Sequence, residues 1–92
     1  MNRQEVYRLI DTEREYQDTR WNRSNITHKH SPEEWFTYMI DYINEAQHIL
    51  SREDFKTCNI KAMDIMRKVG AMAVAAMEEN ETPSRVIIEK NV

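Results

Sequence analysis

At 92 residues the chain has the length of one domain and can bury only a modest core, so self-association is expected to add to its stability. One Gly, two Pro and a charged fraction of 32% favour helices over a strand-and-turn architecture. A net charge of -3 argues against broad nucleic-acid binding, which needs a basic face, and the single Cys58 excludes an internal disulfide framework and a multi-thiolate zinc site.

The opening residues Met1 to Glu5 are polar, with no apolar signal core, and no apolar run approaches membrane-spanning length. The expectation is a cytoplasmic protein with no membrane partner.

The first helix is expected from about Arg3 to about Trp21. Val6, Leu9, Ile10 and Tyr16 recur on one face at helical spacing. At 100° per residue, Glu13, Gln17 and Arg20 fall down the centre of that apolar stripe. Burying a charge without a partner is costly, so this stripe either meets another polar group or lines a site. The polar stretch from Asn22 to His30 reads as a loop.

Ser31, Pro32 and Glu34 form a helix-start signal, with an N-cap, a proline at the first helical position and a capping box. The second helix is expected to reach about Leu50. Its buried side is expected to hold Trp35, Phe36, Met39, Tyr42, Ile43, Ala46, Ile49 and Leu50. Ser51 to Asp54 reads as a short connection that caps the third helix and makes helices two and three antiparallel neighbours.

The third helix is expected from about Asp54 to about Glu79. Its wide apolar face carries Phe55, Cys58, Ala62, Ile65, Met66, Val69, Met72, Ala73, Ala76 and Met77, with Arg67 at the edge. The small residues from Gly70 to Ala76 suit a helix contacted on two sides. Pro83 ends it. The expected fold is all-α, an antiparallel helical bundle of three long helices completed by self-association. Residues 1–82 form the single helical domain and 83–92 a C-terminal tail.

Asp41 and Glu45, spaced i, i+4, can face one point, and Asp64 and Glu13 from neighbouring helices can join them. Converging carboxylates suit Mg²⁺. Solvated or ion-paired helix acids suit the same spacing, and the pattern alone leaves both readings open. His28 and His30 lack a third and fourth zinc ligand. With Arg20, Arg23 and Lys29 they suit a phosphate-contacting patch, and Trp21 offers a stacking surface for a base, whereas Trp35 reads as core.

The run Ile10-Asp11-Thr12-Glu13-Arg14-Glu15-Tyr16-Gln17-Asp18-Thr19-Arg20-Trp21 resembles the Glu-Arg-x-x-Gln-x-x-x-Trp opening of small MazG-like proteins, many from phages and prophages. The run His30 to Trp35, the helix holding Asp41 to Ala46, and Met63 to Glu78 follow the same layout. The resemblance implies an all-α fold, usually dimeric or higher. It also implies Mg²⁺-dependent cleavage of nucleoside triphosphates to monophosphate and pyrophosphate, with metal held by a Glu-Glu-x-x-Glu and a Glu-x-x-Asp motif. Here the first motif falls on Asp41 to Glu45 and lacks its middle acid. The second falls on Asp64 to Arg67 and ends in a cation. Arg67 is therefore expected to take the metal's place and pair with Glu45, Asp41 or Glu13.

The reading favoured by these departures is a degenerate, non-catalytic MazG-like protein. It would bind a nucleotide-type ligand or a protein partner, as a phage factor acting on host nucleotide metabolism or signalling in the host cytoplasm. Glu13, Gln17, Arg20, Trp21 and Arg67 are its candidate ligand-binding residues. One alternative is an active Mg²⁺-dependent nucleoside triphosphate pyrophosphohydrolase, with Asp41, Glu45 and Asp64 as metal ligands. The other is a plain oligomeric interaction module.

Overall fold

The computed structural model describes residues 1–21, 29–52 and 54–85, and the backbone but not the side chain of Phe55. Arg23 and His28, Glu53, and residues 86–92 of the expected tail lie outside the described residues. Three helices follow in order: α1 (Arg3–Trp21), α2 (Pro32–Arg52) and α3 (Phe55–Asn80). The described residues contain no strand.

The helix ends follow from local chemistry. At the start of α1 the Glu5 N–H donates to Asn2 Oδ1 at 2.9 Å, and the Asn2 N–H reaches back to Glu5 Oε1 at 3.4 Å. The start of α2 repeats this reciprocal box. Its Glu34 N–H donates to Ser31 Oγ at 3.2 Å, and its Ser31 N–H donates to Glu34 Oε1 at 3.0 Å. These bonds hold the Glu34 carboxyl below its ordinary range. The expected side-chain cap at Asp54 does not form: the residue occupies the N-cap position of α3 without a cap hydrogen bond. Ser51 and Arg52 belong to α2, so the connection is shorter than the sequence suggests. α3 ends where Glu81 turns to a φ of 61°, two residues before Pro83.

The helix α3 is central. α1 packs on it and α2 packs on it, while α1 and α2 do not pack on each other among the described residues. α2 and α3 run antiparallel: Trp35 near the start of α2 bonds Glu79 near the end of α3, and Leu50 lines a hollow with Asn59 and Ala62. Ile10 of α1 sits against Gly70, where an added Cβ would come within 3.3 Å of its Cδ1. Here the glycine permits a close approach of the two helices.

The core is small. Trp35, Met72 and Ala75 form its centre, with Met39, Tyr42 and Ala76 packed around them. Cys58, Ile65 and Ala71 are also buried. Several residues expected inside are exposed: Val6, Leu9 and Tyr16 on α1, Phe36, Ile43 and Leu50 on α2, and Met66 and Met77 on α3. The physical reason is the layout. Two helices flanking a third each bury one narrow strip, whereas a closed bundle would bury a wide face of every helix.

Candidate functional site

Two groups of side chains combine polar chemistry with a hollow. The first lies between α1 and α3. Glu13 and Gln17, the polar residues in the middle of the α1 stripe, are buried at 8% and 3% exposure. The Gln17 amide Nε2 donates to the Lys68 carbonyl at 3.1 Å, and its Oε1 has no hydrogen-bond partner among the described residues. Arg67 Nε donates to Glu13 Oε1 at 2.9 Å, and Arg67 Nη2 donates to Asp64 Oδ1 at 2.5 Å. Lys68 Nζ stands 3.3 Å from the other Asp64 oxygen. The expected internal ion pair is therefore present, and of the three partners open to Arg67 it takes Glu13.

Electrostatics follow the geometry. The hydrogen bond to Glu13 raises the Arg67 guanidinium, against the opposing effect of burial, with Asp64 adding to the rise. Burial pushes the Asp64 carboxyl up, but hydrogen bonds and charge from Arg67 and Lys68 outweigh it and hold the group low. A carboxyl lowered on folding stabilises the native state above its unfolded pKa, and that contribution is lost as pH falls through the folded value. The variant Asp64→Asn is therefore expected to be less stable than the parent at pH 7. The gap should close on acidification below about pH 4, the ordinary aspartate range. Urea unfolding at a series of pH values checks this, and a pH-independent gap would sink it.

A dication fits this donor set poorly. Asp64 has a cation at each oxygen, and Glu13 already accepts from Arg67. Mg²⁺ requires oxygen ligands whose charge is not already neutralised. Glu45 lines a hollow with Asp64, Lys61 and Lys68, whereas Asp41 lines a different hollow among aromatic rings. Asp41, Glu45 and Asp64 thus do not gather, and the described residues contain no group of three side chains able to hold a metal. Arg20, one turn past Gln17, is exposed rather than buried with the rest of the stripe.

The second group is aromatic. Trp21, His30, Trp35, Tyr38, Asp41, Tyr42 and Met72 line a hollow of about 330 Å³. Trp35 is fully buried, and its indole Nε1 donates to Glu79 Oε2 at 2.9 Å. The same Glu79 oxygen accepts the His30 N–H at 3.1 Å, and Asn80 Nδ2 donates to the His30 carbonyl at 3.1 Å. The end of α3 thereby holds the residue that leads into α2. The His30 ring meets Trp35 and Tyr38 edge-on, with centroids 5.3 and 5.4 Å apart.

The sequence reading placed Trp21 at an open position and Trp35 in the core, and both are found there. It missed His30, Tyr38, Tyr42 and Glu79. A signal existed for the tyrosines: Trp35, Tyr38 and Tyr42 are spaced i, i+3, i+7, which puts three rings on one helix face around Asp41. Nothing local marks Glu79, whose role depends on the antiparallel register. Comparison with protein-family profiles, with curated proteins and with solved structures gives no match to this chain.

Proposed function

We propose that this protein is a non-catalytic binder of a nucleotide-type ligand, whose base enters the aromatic hollow beside Trp21, Tyr38 and Asp41. The observation that carries the reading is the hollow itself: ring faces with one carboxylate on the wall. A base stacks on an aromatic side chain for roughly 1–3 kcal/mol whatever its identity. The Asp41 carboxylate can accept from an amino or imino N–H on the base edge, which favours bases that carry donors. Exposed Arg20 precedes Trp21 and exposed Lys29 precedes His30, so each rim of the hollow has a cation within reach of phosphates. The resemblance to MazG-like proteins agrees with a nucleotide, and the Arg67 ion pairs weigh against metal-assisted hydrolysis.

Thermal unfolding with a panel of nucleotides, with and without Mg²⁺, tests the proposal. Ligand at about 100 times its Kd should stabilise the native state by about 2.7 kcal/mol. The expected result is a rise in Tm that needs no metal and is lost in Trp21→Ala and Tyr38→Ala. Both rings are at least a third exposed, so both variants should fold. A rise that requires Mg²⁺ and a triphosphate together, with pyrophosphate released, would establish the enzyme instead. No rise with any nucleotide would sink the ligand reading.

A further inference from the structure

The three helices form a single layer with two unlike sides. At 100° per residue, Met63 and Met66 lie on the side of α3 away from Asp64 and Lys68. On the polar side stand the ion pairs of Glu13, Arg67, Asp64 and Lys68. On the other side two apolar hollows flank α3, one of about 580 Å³ toward α1 and one of about 530 Å³ toward α2. Met63 and Met66 line both, so the hollows join into one trough. Val6 and Leu9 of α1 form one wall, and Ile43 and Leu50 of α2 the other. All six side chains are exposed, from 38% for Val6 to 61% for Met63.

We infer that this trough is the contact face of a homodimer, in which the apolar sides of two copies stack into a two-layer helical domain. A helical layer with one apolar side needs a second layer to bury it. The surface area says how much is missing. The chain exposes 7445 Å², whereas a folded monomer of 11.1 kDa exposes about 5,700 Å². The excess of about 1,800 Å² is roughly twice the 800 Å² that each partner contributes to a standard interface, so half of it is enough for a stable dimer. Charge selects the occupant. In a two-fold contact a patch meets its own copy, and these six side chains carry no charge, so self-apposition meets no like-charge repulsion. The trough does not include the aromatic hollow, so association stands or falls independently of ligand binding.

Sedimentation equilibrium on the full chain is the first test, with an expected mass about twice 11.1 kDa. The variants Met63→Glu and Met66→Glu should each shift the mass to that of one chain while keeping helical circular dichroism. If either unfolds, methionine-methyl NMR on the unmodified protein with a soluble paramagnetic agent decides. Met63 and Met66 methyls should be shielded as strongly as buried Met72. A single-chain mass at every concentration reached would overturn the inference. Shielded methyls at that mass would mean that the chain covers its own trough. A dimer with fully accessible Met63 and Met66 methyls would overturn it as well, because the contact would then lie on another face.

Discussion

Trp35→Ala should lower the free energy of unfolding by about 3–5 kcal/mol, the range for losing a large aromatic side chain from a packed core. Trp35 is 1% exposed and sits at the centre of the cluster with Met72 and Ala75. In a core this small a cavity has few neighbours able to close it. The indole also donates to Glu79, so its removal takes one hydrogen bond from a carboxylate that helps hold His30. For a domain of this length about 1 kcal/mol corresponds to 4–8 °C, so Tm should fall by roughly 15 °C or more. Trp35→Phe separates packing from hydrogen bonding. It keeps a ring but loses the N–H donor, while Glu79 still accepts from His30, and the expected loss is roughly 1–2 kcal/mol. Urea unfolding followed by the remaining Trp21 fluorescence gives both values. An alanine variant within about 1 kcal/mol of the parent would remove Trp35 from the centre of the core.

The same residues show how far the sequence was readable. The start of α2 needed nothing beyond Ser31, Pro32 and Glu34, because a capping box is a contact between residues three apart. The placement of Glu13 and Gln17 in the buried strip of α1 followed from helical spacing alone, and both are buried. The identity of Arg67's partner did not follow. Glu13, Asp41 and Glu45 were equally open, and the choice depends on the crossing of α1 over α3, fixed where Ile10 meets Gly70. Exposure of Leu9, Ile43 and Met66 was not legible either. Their spacing gives a face, but whether that face is covered depends on how helices far apart in sequence are arranged, and here α1 and α2 stand on separate flanks of α3. The aromatic hollow was half legible: the α2 rings share a face by spacing, while Trp21 and Met72 join them only through tertiary packing.

The Glu13–Arg67 pair makes the second large prediction, and its sign depends on which partner is removed and what replaces it. The Glu13 side chain is 9% exposed and the Arg67 side chain 36%. Arg67→Ala leaves a buried carboxylate without its guanidinium. Breaking a fully buried pair costs about 3–5 kcal/mol, and solvent screening at the partly exposed guanidinium reduces this to about 2–3 kcal/mol here. Part of the loss arises because Asp64 gives up one of its two cations. The double variant Glu13→Leu with Arg67→Met tests whether the cost is the pair or the orphaned charge. Replacing both ions by apolar groups removes their desolvation as well as their attraction, so the double variant should recover to within about 1 kcal/mol of the parent. Denaturant unfolding of the two single variants and the double variant forms a mutant cycle that reads the coupling directly. A single Arg67→Ala change of less than about 0.5 kcal/mol would class the guanidinium as an ordinary surface group and dissolve the argument that it fills the acid cluster. A large single loss with recovery in the double variant would show that Arg67 compensates a carboxylate that folding has already buried. That arrangement leaves Glu13 committed to the scaffold rather than free for a metal.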